Sequence, residues 1–260
     1  HLENLYWYDM SIREAVSWRG ILRVILWGLF KNQADKIALN YSKNSLYNNS
    51  VNDLGRDFSN PTVWNCKTLD SKPWHDDKSY LRQLLENQSQ EIISEYKSIA
   101  SEIGTHPDNT TLAPKGRWTG LFLVGVDGPN KEILKKFPVV NSILRKVQVC
   151  ENFGFVLISG TEPGTIIAPH TGSSNLRLRN HLGIDIPEPN SVSIRVGSEW
   201  RKWEEGKTIS FDDSYEHEVI HNGEKLRVVL SIDTWHPSLS RDDITFLSDP
   251  VFKDFGYFRT

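Results

Sequence analysis

The segment APHTGSSNLRLRNHLG, residues 168–183, places two histidines and two arginines in a run that alternates polar and apolar residues. Side chains two apart in a strand share a face. Asn175, Arg177, Arg179 and His181 would therefore project together, with Leu176, Leu178 and Leu182 on the opposite, packing face. The polar set holds cations and hydrogen-bond donors and no balancing acid. Such a face can grip a carboxylate, because a guanidinium meets one through two parallel hydrogen bonds. The solvated side of an ordinary strand shows the same alternation, so this segment alone leaves anion binding and plain solvation both open. A second segment, ISFDDSYEHEVIHNGEKLRVVLSIDTWHP (209–237), adds Asp213, His217, His221 and Arg227. His217 and His221 have the i, i+4 spacing of a helical metal pair. The alternation around them and the Asn222-Gly223 pair after them point to a hairpin instead, so they are not read as a helical zinc site.

These residues need a scaffold. The chain has 260 residues, 38% of them hydrophobic, and nine tryptophans, enough for a substantial core. From Trp118 onward come WTGLFLVGV, FGFVLIS, TIIAPH, NLRLRNHLG, SVSIRV, KTISF and LRVVLSID, separated by Gly, Pro, Asn and Asp. Many short strands with turn signals predict a mainly β fold, a two-sheet jelly roll with flanking helices. A helical pattern at 131–137 interrupts the series. Upstream, helices are expected over 12–30 and 80–103, with an Asn-rich loop at 41–50 between them. In the second helix Leu81, Leu84, Leu85, Ile92, Tyr96 and Ile99 form one stripe, and Gly104 is the expected stop. The predicted organisation is a helical portion, 10–104, packing on a β core, 105–260. Residues 1–9 precede Met10, the one methionine, and read as an appended leader.

Composition narrows the partners. The net charge is −3 and the basic residues are dispersed, which argues against nucleic acid. No run is long enough to span a membrane. The nearest, ILRVILWGLF at 21–30, contains Arg23 and reads as a core helix, with a membrane-surface helix as the alternative. Cys66 and Cys150 lack metal-binding spacing. With no secretory signal after Met10, they read as buried thiols of a cytoplasmic protein, a disulfide between them being the alternative.

Taken together, PGTIIAPHTGSSNLRLRNHLG, WEEGKTISFDDSYEHEV and Arg227 followed by IDTWHP resemble the aspartyl/asparaginyl β-hydroxylase family. These are Fe(II)- and 2-oxoglutarate-dependent oxygenases with a double-stranded β-helix core. The likeness runs over about 153–237, with a KGRW stretch at 115–118 upstream. It implies that His170 and His217 bind the iron. Gly172 stands where oxygenases at large place a metal-binding carboxylate, and in this family water is thought to fill that place. Arg227 and Ser159 would hold the distal carboxylate of 2-oxoglutarate, with Arg179 and His181 near the carboxylate beside the metal. Arg177 would meet substrate or help with the cosubstrate, and Lys115 or Arg117 would also meet substrate. Asp213 either orients a metal-bound water or a neighbouring group, or is an exposed turn carboxylate. The implied reaction consumes dioxygen and 2-oxoglutarate, releases succinate and CO2, and hydroxylates an unactivated C–H bond of an amino acid, a peptide or a related acidic substrate; a lipid-linked acyl chain also fits. Peptide-hydroxylating members carry a basic residue where this chain has Ala113, so the substrate stays open. Two other readings remain: a non-catalytic jelly-roll module that binds an acidic ligand, and a related oxygenase acting as a halogenase or desaturase. The presence of both histidines favours the enzyme.

Overall fold

The alternating runs after Trp118 form strands, because each offers one apolar face to a core and one to a different environment. The computed structural model describes residues 58–248 apart from 60, 62–65, 67–68, 126 and 151. The expected leader, the helix at 12–30 with its apolar run, and the loop at 41–50 lie outside the described residues. In chain order the elements are α1 (Tyr80–Asn87), α2 (Ser89–Ile99), β1 (Gly104–Thr105), α3 (Asn109–Leu112), β2 (Trp118–Gly125), β3 (Gly128–Pro129), α4 (Lys131–Lys136) and α5 (Pro138–Leu144). They continue with β4 (Val156–Thr161), β5 (Ile166–His170), β6 (Arg177–Asp185), β7 (Val192–Val196), β8 (Glu199–Arg201), β9 (Thr208–Phe211), β10 (His217–His221), β11 (Arg227–Trp235) and α6 (Arg241–Leu247).

The strands make two antiparallel sheets. The larger runs β1-β2-β4-β11-β6-β9, with β3 paired to β2; the smaller runs β5-β10-β7-β8. From β4 onward the chain passes back and forth between them: β4, β6, β9 and β11 in one, β5, β7, β8 and β10 in the other. That alternation is the double-stranded β-helix, or jelly roll, expected from the sequence.

Two apolar layers hold it together. Between the sheets, Phe211 and Val229 of the large sheet meet Ile167, Val192, Ile194, Val196 and Val219 of the small one, together with Trp74, Trp203 and Tyr215. On the outer face of the large sheet, Ile158, Leu182, Val228, Leu230 and Ile232 pack against Leu85, Ile92, Ile93, Tyr96, Phe137, Val140 and Ile143 of the helical layer. With its outward face covered by helices and its inward face lining the barrel, β11 is buried along almost its whole length.

The helix expected over 80–103 is divided. Ser79 caps α1 by accepting from the Arg82 N–H at 3.1 Å. Gln88 then leaves helical geometry, at φ −114° and ψ 18°, and α2 restarts at Ser89. Gly104 opens β1 rather than stopping a helix, since α2 runs into a 3₁₀ turn at Ala100–Glu102. Cys66 and Cys150 are buried and not bonded to each other.

Candidate active site

β5 and β10 pair so that His170 and His217 lie directly opposite one another. Their ring centroids are 4.1 Å apart. The Nδ1 of His170 lies 2.8 Å from the Ala168 carbonyl, and that of His217 lies 2.9 Å from the Tyr215 carbonyl. A carbonyl only accepts, so each Nδ1 carries the hydrogen and each Nε2 keeps its lone pair. Burial lowers both pKa values, that of His217 well below the ordinary histidine range, so both rings are neutral. Two adjacent neutral imidazoles with bare Nε2 atoms have the lone pairs that ligating a metal requires. Among the described residues no group of three or more His, Cys, Asp or Glu is arranged to hold a metal.

Beside the pair, the Gly172 N–H donates to the Asp213 carbonyl at 2.6 Å. A Cβ on Gly172 would lie 2.6 Å from the Asp213 Cγ, closer than atoms tolerate. The Asp213 carboxylate therefore occupies the space into which a side chain at 172 would grow. Asp213 is fully buried, not an exposed turn residue.

The inward face of β6 does carry Arg177, Arg179 and His181, but the expectation of no balancing acid fails. The register sets Asp233 of β11 opposite Arg179. Arg179 grips Asp233 through Nε at 2.9 Å and Nη2 at 3.0 Å, and its Nη2 also reaches Asp213 at 3.2 Å. Arg177 donates to Asp213 through Nε at 3.3 Å and Nη2 at 2.8 Å, and through Nη1 to the Phe153 carbonyl. Two arginines thus meet two aspartates. Burial alone would raise the Asp213 pKa, but the Arg177 and Arg179 guanidiniums hold it below the ordinary carboxylate range. The acids come from other segments, so β6 read alone shows only the cations. Asn175 precedes β6 and is tied to the Cys66 backbone, accepting from its N–H at 2.8 Å and donating to its carbonyl at 2.9 Å.

The three residues expected to meet substrate differ in their settings. Arg177 is buried, and each of its guanidinium nitrogens already donates to a protein acceptor. Arg117 is exposed and pairs with Glu162 at 3.0 Å while donating to Thr105. Lys115 is exposed, its backbone bridged to Ile166.

Arg227 is different. It is 2% exposed, and its Nε and Nη1 have no hydrogen-bond partner among the described residues. Its guanidinium sits 4.3 Å above the Trp203 ring centroid. Burial without a counter-ion lowers its pKa to about 9. An orphaned buried guanidinium is costly and calls for an anion. Inward-facing hydroxyls of Thr161, opposite Arg227, and Ser231, opposite His181, are likewise buried and unpartnered. Ser159 accepts from the Trp118 indole N–H at 2.9 Å, which leaves its own O–H available to donate. His181 accepts at Nδ1 from the Trp203 indole at 3.4 Å, so its hydrogen resides on Nε2. Burial and the nearby Arg179 and Arg227 charges keep that ring neutral. The barrel interior therefore joins two metal-competent nitrogens to a set of donors that lacks its anion.

Comparison with known proteins identifies the family. The family model described as aspartyl/asparaginyl beta-hydroxylase matches residues 86–237. The chain belongs to the aspartyl/asparaginyl β-hydroxylase family. The matched region contains every residue of the site just described. A mouse protein named aspartyl/asparaginyl beta-hydroxylase is 39% identical over 137 residues, covering 52% of this chain and 18% of its own length. The chain thus spans only a small part of that relative's length. A Rhizobium tropici protein named ornithine lipid ester-linked acyl 2-hydroxylase is 29% identical over 226 residues, covering 86% of this chain and 71% of its own. A Pseudomonas putida prolyl-4-hydroxylase structure covers 59% of this chain at a TM-score of 0.37 and 8% identity.

Motif reading does not single out Asp233, Trp203, Thr161, Ser231 or Trp118. Asp233 and Trp203 stand inside family motifs, in IDTWHP and WEEGK. Trp118 ends the KGRW stretch, and Thr161 and Ser231 are marked only by strand register.

Proposed function

We propose that this chain is an Fe(II)- and 2-oxoglutarate-dependent hydroxylase. The observation that carries the reading is a pair of neutral histidines with bare Nε2 atoms in the same barrel as an orphaned, buried Arg227. His170 and His217 would hold the iron through their bare Nε2 atoms. Iron and 2-oxoglutarate together supply dioxygen activation, with loss of CO2 and release of succinate.

The chain's own residues bind, orient and screen. Arg227 would take the distal carboxylate, with Ser159 and Thr161 donating their hydroxyl hydrogens beside it. The His181 Nε2–H and the Arg179 Nη1, which has no partner among the described residues, would serve the other end of the cosubstrate. Asp213, fixed by Arg177 and Arg179, would accept a hydrogen bond from water beside the histidine pair. The tryptophan- and valine-rich layer between the sheets keeps bulk water away from the reacting atoms.

The substrate would present a C–H bond near a carbonyl, as in an aspartyl or asparaginyl peptide or an ester-linked acyl chain. The second is favoured by the length of the match to the acyl 2-hydroxylase and by Ala113, which puts no cation at the position of the family's basic residue. The test is succinate release from Fe(II)-loaded protein with 2-oxoglutarate, screened over amino acids, aspartyl peptides and ester-linked acyl lipids. Stimulation by one of these probes is expected. No 2-oxoglutarate-dependent succinate with any probe would overturn the proposal.

A further inference from the structure

His106 lies just before α3, outside every motif. Its ring is stacked on the Trp118 indole, with centroids 3.6 Å apart and planes 5° from parallel. It also meets Phe122 at 5.5 Å. The stack is possible because β2 has a glycine beneath it: a Cβ on Gly120 would come within 2.8 Å of the His106 Cδ2. Backbone bonds fix the loop, the His106 N–H donating to the Trp118 carbonyl at 2.9 Å and the Asn109 N–H to the His106 carbonyl at 3.0 Å. The Asp108 N–H donates to the His106 Nδ1 at 3.1 Å. Nδ1 is therefore an acceptor and Nε2 carries the hydrogen, the opposite tautomer from His170 and His217. Burial, and after it the Arg179 charge, lowers its pKa to about 3, so the ring is neutral. Gly120 is the ladder partner of Ser159, and the Trp118 indole under the ring donates to the Ser159 hydroxyl, so the ring lies next to the Ser159 end of the site. Its Nε2–H has no partner among the described residues.

We infer that His106 is a substrate-binding residue whose Nε2–H donates to a neutral carbonyl oxygen of the substrate, an ester or amide. The inference rests on the hydroxylase reading above. A neutral single donor fits an uncharged carbonyl, whereas a carboxylate substrate would call for a cation. The flat Trp118 stack removes the ring's freedom to turn, so the donor is fixed before substrate arrives.

Two variants separate donation from packing. His106→Phe keeps an aromatic ring on Trp118 without the donor; His106→Gln restores an N–H near the Nε2 position. With whichever probe the wild type hydroxylates, His106→Phe is expected to raise the substrate KM roughly three- to tenfold, the worth of one neutral hydrogen bond. It should also release succinate in excess of hydroxylated product. His106→Gln should recover part of both effects. Binding of 2-oxoglutarate and metal should be unchanged in both variants. Wild-type KM and coupling in His106→Phe would overturn the inference. So would a matching loss of 2-oxoglutarate affinity, which would mean that His106 acts through Trp118 and Ser159. Failure of the hydroxylase reading would appear differently, as a wild type inert toward every probe.

Discussion

Removing the Arg227 guanidinium should raise the 2-oxoglutarate requirement about tenfold to hundredfold, because a hydrogen bond to a charged group contributes about 1.5–3 kcal/mol. Metal binding should persist. Arg227→Lys should restore only part of the affinity, since an ammonium does not reproduce the planar fork. Calorimetric titration of 2-oxoglutarate into the metal-loaded variants checks this, and an unchanged affinity in Arg227→Ala would place the anchor elsewhere. Gly172 carries the second residue-scale prediction. A carboxylate there cannot complete the metal shell, because even a Cβ would strike Asp213. Gly172→Ala should therefore lower the thermal midpoint, with Gly172→Asp worse, as two carboxylates contend for the Arg177 and Arg179 pair. A Gly172→Asp protein as stable as wild type would contradict the crowding.

At the scale of elements, β6 and β11 are clamped by charge as well as by their ladder. Arg177 ties β6 to the β9–β10 loop through Asp213, and Arg179 ties it to β11 through Asp233. Breaking such a buried pair from one side leaves an uncompensated charge and costs about 3–5 kcal/mol. Arg177→Met should destabilise the fold by that order while the folded protein keeps wild-type 2-oxoglutarate affinity, as measured by denaturant unfolding and titration. A stable variant with weakened substrate binding would instead support the ligand-facing role suggested by the sequence. This clamp also shows where sequence reading ends. Alternation made β6 legible as a strand with a charged inner face, because the period is local. That Asp233 neutralises Arg179 depends on the β6–β11 register, a pairing of residues 54 positions apart. The break at Gln88 was hidden for a related reason: the apolar stripe continues through it, and packing of both helices on the large sheet decides where the turn falls. His170 and His217 are recognisable from motifs, whereas the tautomers that leave their Nε2 atoms bare come from carbonyls two residues back, fixed only by the folded backbone.

Across the whole molecule, histidines buried as neutral rings set the acid limit. The pKa of His236 falls to about 4 and that of His106 to about 3, burial being the first cause in each. A folded pKa below the unfolded value of 6.5 means that the unfolded chain binds more protons, so stability is lost as pH falls from about 6.5 toward the folded values. For His236 alone the shift corresponds to on the order of 3 kcal/mol. Asp213, held low by its arginines, adds to the loss in more acidic solution. Asp212 opposes it: burial raises its pKa to about 7, which favours the folded state on acidification. The histidines outnumber it, so the thermal midpoint should fall between pH 6.5 and pH 4; a flat profile would mean that these rings are not buried neutral. The central claim, a metal site made by two histidines, is tested most directly by measuring Fe(II) bound under anaerobic conditions in wild type, His170→Ala and His217→Ala, with circular dichroism to confirm folding. The wild type should bind one equivalent and each folded variant should bind essentially none. One equivalent retained after either substitution would contradict the account.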